Sequence, residues 1–269
     1  MKLYSFLLIS LLLFSCGKKT EKKEQIFSEP EHFEALIVHE SVPISHKNLV
    51  TISELEILIP DNYLDYLERN FSQLDNTWKE LYFNESKNNW FVDQATFKIR
   101  RDYHECIGDS LTSIESNRKT ILFFKGIEIA SKEIQTVSVS HEAMLPERPF
   151  VFTFNSEEYT LNPKGKVKPW DEDYFTSKQL AELDKDDFRN YQIDAYSLHL
   201  NKKGAKSQEI LNIPLLSFNT PYLLWIGDLD QDGKPDFLFD TAEENMTTNV
   251  ELYLSSEAED GNYIKKVAS

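Results

Sequence analysis

The chain has 269 residues, with 45 aspartates and glutamates against 29 lysines and arginines, and its formal net charge is −16. This charge excludes a globally basic nucleic-acid-binding protein, because phosphate binding relies on lysine and arginine. Hydrophobic residues make up 41% of the chain and aromatic residues 13%, which argues against disorder over the whole length. Two cysteines in a chain of this length exclude a small disulfide-stabilised protein.

Residues 1–15 have the pattern of a secretory signal peptide. Lys2 supplies the positive charge, and a largely apolar run extends from Leu3 to Phe14. At twelve residues this run is too short to span a bilayer, which takes about 20 residues of helix. We therefore predict that the chain is exported.

The segment Leu13-Phe14-Ser15-Cys16 resembles the lipobox of bacterial lipoproteins. The resemblance implies that Cys16 is diacylated, becomes the mature N-terminus and anchors the chain in a membrane. Residues 16–30 are polar, rich in lysine and glutamate, and are predicted to form a flexible tether. We expect an outer-membrane lipoprotein, and Lys18 and Lys19 favour the periplasmic face, because surface-exported lipoproteins of Bacteroidota often carry an acidic tether. The alternative is an ordinary signal peptide cleaved elsewhere, with Cys16 incidental.

An apolar stripe after Pro60 predicts one long amphipathic helix from Asp61 to Tyr82. Spacings of three and four residues over five turns would place the stripe on one helix face. The apolar positions are Leu64, Leu67, Phe71, Leu74, Trp78 and Leu81.

Beyond this stripe the apolar pattern changes to a period of two, which predicts strands. Residues 163–192 contain prolines and acidic residues and are predicted to be a connecting insertion. The resulting fold class is α+β, strand-rich, with one long helix and a C-terminal β unit. Residues 31–145 would form an α+β region and residues 146–269 a β-rich region, as two domains or as one. The segments predicted to form strands lie around Ala95–Ile99, Ile121–Phe124, Ile134–Ser140, Phe150–Phe154, Tyr159–Leu161, Tyr196–Leu200 and Ile210–Ile213.

The clearest chemical motif lies in residues 228–236, which read DLDQDGKPD. Four carboxylates in nine residues repel one another, and burying them raises the cost further, so a bound cation would resolve the conflict. Ca²⁺ accepts six to eight oxygen ligands in irregular geometry, whereas Mg²⁺ prefers a near-ideal octahedron. Gly233 would permit the sharp turn, and the alternative is an acidic surface turn without metal. The predicted calcium ligands are Asp228, Asp230, Asp232, the carbonyl of Lys234, and Asp236.

The residues around this loop favour two strands over the two helices of an EF-hand. An EF-hand needs a glutamate at its twelfth loop position, which here is Phe239. The flanks, Tyr222–Ile226 and Phe237–Phe239, are apolar and aromatic, and Pro235 disfavours an exiting helix. We therefore predict that the loop joins two strands.

The segment from Tyr222 to about Val267 resembles one FG-GAP or VCBS-type repeat, the calcium-loop unit of integrin-like propellers. In that family the loop carboxylates bind calcium, and the resemblance carries this role to the aspartates of residues 228–236. The chain holds one copy and no Phe-Gly pair, whereas a propeller needs at least four blades, so we do not expect a propeller. The whole chain also resembles lipoproteins of Bacteroidota that carry one such loop, which implies a location but no activity.

The sequence contains no motif that identifies a catalytic residue. It has no GxSxG, no GxGxxG and no phosphate-binding glycine loop. The leading hypothesis is therefore a non-enzymatic envelope lipoprotein with a structural calcium site, whose protein or glycan partner the sequence does not identify. The alternatives are a secreted hydrolase, such as a carbohydrate-active enzyme with two unidentified catalytic carboxylates, and a subunit of an envelope complex.

Overall fold

Antiparallel β-strands make up the regular structure of this chain. The computed structural model describes residues 52–64, 71, 74–106, 108–139, 141–169, 191–217, 219–242 and 248–269. Among these residues there is no α-helix, so no helix is long and apolar enough to cross a membrane. The strands are β1 (Ile52–Leu58), β2 (Asp61–Leu64), β3 (Lys79–Asn84), β4 (Asn89–Gln94), β5 (Phe97–His104), β6 (Asp109–Ser116), β7 (Lys119–Ile127), β8 (Lys132–Ile134), β9 (Thr136–Val137), β10 (Glu142–Ala143), β11 (Phe150–Phe154), β12 (Glu157–Pro169), β13 (Tyr191–Lys202), β14 (Gln208–Ser217), β15 (Tyr222–Gly227), β16 (Asp236–Asp240), β17 (Val250–Leu254) and β18 (Lys265–Ala268).

The strands form four sheets, which we name by their position in the chain and in the core. The N-terminal sheet has the order β1-β7-β3-β4-β8, and the small sheet has the order β2-β6-β5. The meander sheet consists of β11-β12-β13-β14 in chain order. The central sheet has the order β10-β15-β16-β17-β18, with β9 also paired to β15.

The inner strands β16 and β17 of the central sheet are buried on both faces. Because successive side chains of a strand point to opposite faces, adjacent residues of β16 enter different parts of the core. Phe237 and Phe239 belong to an apolar cluster that contains Tyr196 of the meander sheet. Leu238 belongs to a second cluster, which contains Leu122 of the N-terminal sheet. The central sheet is therefore the middle layer between two others, which explains why three consecutive residues of β16, Phe237 to Phe239, are all apolar.

The predicted α+β fold is wrong, because the described part of the predicted helix consists of strands and turns. Asp61–Leu64 pairs with β6, and Lys79–Asn84 pairs with both β4 and β7. Trp78 and Leu81, which share the predicted stripe, pack into two separate apolar clusters. The spacing of three and four therefore does not correspond to one buried face.

A local turn at Asp75 explains why a helix is unfavourable here. Asp75 Oδ1 accepts hydrogen bonds from the Thr77 backbone N–H at 2.9 Å and from Thr77 Oγ1 at 2.6 Å. These bonds satisfy the backbone within a turn and so compete with the helical hydrogen-bonding pattern. Trp78 follows at once, and its carbonyl accepts a hydrogen bond from the Ala95 N–H at 3.1 Å.

Most of the period-two segments form strands, including the hairpin predicted between Phe154 and Tyr159. The segment Ala95–Ile99 is a strand only from Phe97, and the described part of Ile134–Ser140 contains only the end of β8 and the two residues of β9. The predicted insertion is wrong at its edges. β12 continues to Pro169, β13 starts at Tyr191, and Lys168 pairs with Gln192. Residues 170–190, like the signal peptide, Cys16 and the tether, lie outside the described residues.

The described strands all belong to one compact unit, Pro43–Ser269. β9 and β10 precede residue 145 and pair with β15, which follows it. One apolar cluster likewise contains Leu81 together with Leu252. The two predicted regions, 31–145 and 146–269, therefore share sheet pairings and a core.

Candidate metal centre

The acidic loop closes a hairpin of the central sheet. β15 ends at Gly227, β16 begins at Asp236, and these two residues are paired. The prediction that the loop joins two strands is confirmed. Both strands lie in the middle layer, so the loop begins and ends at fully buried backbone.

Two glycines make the loop's path possible. A Cβ on Gly227 would lie 2.3 Å from the Trp225 ring and 2.7 Å from the Gln135 carbonyl oxygen, so no larger residue fits there. Gly233 has φ +84°, a conformation that glycine adopts at little cost. The loop also contains Gln231 at φ +67°.

Three aspartates of the loop come together in the protein interior. Asp230 and Asp236 are fully buried, and Asp228 is 9% exposed. Each contributes a carboxylate oxygen to a group whose members all lie within 4.8 Å of one another. Among the described residues this is the one cluster of three or more such side chains that could hold a metal ion.

Asp236 is held by backbone donors. Its Oδ2 accepts a hydrogen bond from the Leu229 N–H at 2.7 Å, and its Oδ1 accepts one from the Ser255 N–H at 2.8 Å. Asp230 Oδ1 accepts from the Asp232 N–H at 3.2 Å, and Asp230 Oδ2 accepts from the Ser256 hydroxyl. These bonds fix the positions of the carboxylates of Asp230 and Asp236.

Asp228 has one oxygen that no donor satisfies. Its Oδ2 accepts a hydrogen bond from the Gly233 N–H at 3.1 Å, whereas its Oδ1 is buried and has no hydrogen-bond partner. A buried carboxylate oxygen without a partner is costly, because it has lost its water without replacing it. A cation bound among the three carboxylates would satisfy it.

Burial and mutual repulsion raise the pKa values of all three carboxyl groups. The pKa of Asp228 rises to about 7, mainly through burial and then through the charges of Asp230 and Asp232. Burial is also the largest cause of the raised pKa of Asp230 and of the strongly raised pKa of Asp236. At neutral pH the cluster therefore favours either protons or a metal ion.

Two of the five predicted ligands lie outside this buried cluster. The Asp232 side chain is 19% exposed and accepts hydrogen bonds from the Ser255 hydroxyl at 2.9 Å and the Lys234 N–H at 2.8 Å. The Lys234 ammonium is exposed and pairs with Asp232 at 3.2 Å. The role predicted for the Lys234 carbonyl stays a prediction.

The structure adds four residues that the sequence did not indicate. Ser255 and Ser256 follow β17 directly and donate hydrogen bonds to the loop aspartates. The one sequence signal for these contacts is that the two serines follow an apolar strand. The other two, Gln135 and Asn155, come from distant segments, and no local pattern marks them. Asn155 donates to the Gly233 carbonyl across 78 positions of sequence.

The three buried aspartates offer carboxylate oxygens that could hold a metal ion. Such oxygen ligands suit a hard cation. No model of a known protein family matches the chain, and no curated protein or solved structure is similar enough to count as a match. The candidate metal centre thus rests on the geometry of these residues.

Proposed function

We propose that this chain is a non-enzymatic lipoprotein anchored through Cys16 to the outer membrane, and that a structural calcium ion stabilises its central sheet. The observation that carries the calcium site is the buried Asp228 Oδ1, which has no partner inside a cluster of three buried carboxylates. The proposed ligands are the carboxylates of Asp228, Asp230, Asp232 and Asp236 and the carbonyl of Lys234.

Calcium suits this loop better than the smaller divalent cations. With the Asp232 carboxylate and the Lys234 carbonyl, the three buried carboxylates would supply a crowded, irregular set of oxygens. Ca²⁺ tolerates both high coordination and irregular geometry. Mg²⁺ would need an octahedron at shorter distances and retains several of its waters. The expected affinity is that of extracellular calcium modules, about 10⁻⁴–10⁻³ M.

The ion would act as a clamp on the middle layer of the fold. Asp236 opens β16, and its Oδ1 is bonded to the Ser255 N–H immediately after β17. Asp228 follows β15 directly, and its N–H donates to the Gln135 carbonyl at 3.0 Å, at the connection from the N-terminal sheet. Calcium would therefore stabilise the loop end of three central strands together.

Calorimetric titration of the purified mature chain with CaCl₂ tests the calcium site. We expect one binding event per chain, weakened at least tenfold in Asp230→Asn and unchanged in Asp260→Asn. The second substitution removes a carboxylate from an exposed turn and is the matched control. Absence of binding by the unsubstituted chain, or equal binding by Asp230→Asn, would overturn the proposed site.

The anchor is tested separately, by metabolic labelling with a palmitate analogue in a Gram-negative host. The chain should incorporate the label, and Cys16→Ser should abolish it, because the lipid is attached to that thiol. Protection of the chain from an impermeant reagent on intact cells would support the periplasmic face. Labelling that persists in Cys16→Ser would contradict the lipidation site, and modification on intact cells would contradict the periplasmic face.

A further inference from the structure

The candidate metal loop is also held from outside, by two residues that belong to other parts of the fold. Asn155 lies in the turn between β11 and β12 of the meander sheet, and its Nδ2 donates to the Gly233 carbonyl at 2.7 Å. Gln135 lies between β8 and β9, and its Nε2 donates to Asn155 Oδ1 at 2.8 Å. Both side-chain contacts lie outside the carboxylate cluster.

Two further hydrogen bonds, each donated by a backbone N–H, complete a closed ring with these side chains. The Gln135 carbonyl accepts from the Asp228 N–H at 3.0 Å, and the Gly233 N–H donates to Asp228 Oδ2 at 3.1 Å. Asp228, Gln135, Asn155 and Gly233 are thus linked in a circuit of four hydrogen bonds. The circuit commits Asp228 Oδ2 to the loop backbone, while Oδ1 is the oxygen without a protein partner.

We propose that Asn155 and Gln135 are positioning residues that set the metal affinity of the loop. The inference rests on the calcium site proposed above. The loop has to hold Gln231 and Gly233 at positive φ while repelling carboxylates are brought together, and the Asn155 amide fixes the Gly233 peptide in that path. Partners behind the direct ligands commonly change metal affinity by about 10- to 100-fold when they are removed.

The same contact links the metal loop to the meander sheet. Asn155 and Ser156 have φ values of +47° and +64°, as in a two-residue hairpin turn. The turn presents the Asn155 amide to a loop of a different sheet. Linkage is reciprocal, so a turn that favours metal binding is itself stabilised when metal binds.

The test compares CaCl₂ titrations of the mature chain, Asn155→Gly, Gln135→Ala and the matched control Ser156→Gly. Glycine adopts a positive φ readily, so Asn155→Gly removes the amide and keeps the turn. Ser156→Gly also introduces a glycine at a positive φ in this turn but leaves the Asn155 amide in place. We expect the Kd for calcium to rise about tenfold in Asn155→Gly. It should stay within twofold of the unsubstituted chain in Ser156→Gly.

Further readouts separate a positioning role from a purely structural one. In chelator, Asn155→Gly should melt slightly below Ser156→Gly, because it has lost the two hydrogen bonds of the Asn155 amide. This difference in melting temperature should widen in calcium, where Asn155→Gly also binds the metal more weakly. Gln135→Ala should weaken calcium binding, and the double variant should be no weaker than Asn155→Gly, because Gln135 acts through Asn155.

Each outcome decides between the two proposals. If the unsubstituted chain binds no calcium, both fail. If it binds calcium and Asn155→Gly binds within twofold of it, this inference alone is overturned. If Asn155→Gly does not fold, Gln135→Ala decides: binding within twofold of the unsubstituted chain overturns the inference, and weaker binding supports it.

Discussion

At the scale of single residues, Asp228 combines features that are unfavourable without a ligand. It is nine-tenths buried, one of its oxygens lacks a donor, and two further aspartates lie beside it. This environment raises the pKa of the Asp228 carboxyl group, because burial and the neighbouring negative charges disfavour its ionised form. Ionisation of Asp228 at neutral pH therefore opposes folding unless a cation is bound.

The first prediction concerns the pH dependence of stability without metal. The pKa of Asp228 is about 7 in the folded chain and 3.8 in the reference state, so its contribution is fully present below pH 4 and is lost as pH rises through 7. The difference corresponds to about 4 kcal/mol if Asp228 titrates alone. In chelator, the free energy of unfolding from urea titrations should be about 2–3 kcal/mol higher at pH 5 than at pH 8, because part of the contribution is already lost by pH 5.

Asp228→Asn is the control for this pH dependence, because it keeps the shape and removes the titrating group. Its unfolding free energy should vary less between pH 5 and pH 8 than that of the unsubstituted chain. An unsubstituted chain in chelator that is equally stable at both pH values would contradict the assigned environment of Asp228.

A second buried carboxylate, Glu80, shows the opposite situation. Glu80 is fully buried in β3, and both its oxygens accept hydrogen bonds. Arg118 NH1 lies 2.7 Å from Oε1, and the Arg118 guanidinium also stacks 4.5 Å from the Tyr82 ring centroid. The further donors to Glu80 are Thr96, Ser116 and Thr120. This carboxylate has its cation within the protein and needs no metal.

The second prediction is that Glu80→Gln lowers the free energy of unfolding by about 1.5–3 kcal/mol. The side-chain amide of glutamine accepts hydrogen bonds through its oxygen but not through its nitrogen. The substitution therefore removes the charge-assisted bonds and leaves at least one of the present donors without an acceptor. Glu85→Gln is the matched control, since Glu85 pairs with Lys119 at the surface and both side chains are about two-thirds exposed. That substitution should change the unfolding free energy by less than about 1 kcal/mol. Equal effects of the two substitutions would contradict the network.

At the scale of elements, the central strands are unusual in lacking a solvent face. β16 and β17 are buried at nearly every position, whereas β11 alternates between buried and exposed residues. A strand with one solvated face tolerates substitution at every second residue. A strand between two layers does not.

The third prediction compares adjacent residues of β16. Leu238→Ala should cost about 2–5 kcal/mol and Phe239→Ala about 3–5 kcal/mol, because each leaves a cavity in a different apolar cluster. Val151→Ala, at a residue of β11 that is 58% exposed, should cost less than about 0.5 kcal/mol. Urea unfolding measures all three, and tolerance of either β16 substitution would show that one face of the central sheet is not packed.

Local sequence periodicity predicted most of the described strands but misjudged the segment after Pro60. The alternation at Phe150, Phe152 and Phe154 reflects a strand with one buried face, so a strand is predicted correctly there. The described side chains of the stripe from Leu64 to Leu81 do not share one face, since Trp78 and Leu81 pack into different clusters. Which cluster each apolar residue joins is set by long-range pairing, which one sequence does not reveal.

The candidate metal loop was likewise only partly predictable from the sequence. Asp228, Asp230 and Asp236 were predictable because one short loop contains all of them. Gln135 and Asn155 were not, because tertiary pairing brings them to the loop from other sheets. The sequence also predicted Asp232 as a ligand, from the loop spacing and the resemblance to a calcium-loop repeat, while the structure shows it partly exposed and bonded to Ser255.

At the scale of the whole molecule, the loop lies where the layers meet. The central sheet packs against the N-terminal sheet on one face and the meander sheet on the other. Residues from the β8–β9 connection and the β11–β12 turn both contact the loop. An ion bound there would stabilise the packed core as a unit, and its removal should lower the stability of the whole fold.

The most direct test of the calcium clamp is the melting temperature of the mature chain, purified in detergent, in 10 mM CaCl₂ and in EDTA at pH 7.5. For a Kd of about 10⁻⁴–10⁻³ M, calcium should add about 1.4–2.7 kcal/mol, which raises the melting temperature by about 3–10 °C. Asp230→Asn should show no such rise. Equal melting temperatures of the unsubstituted chain in calcium and in EDTA, or an equal rise in Asp230→Asn, would contradict the account.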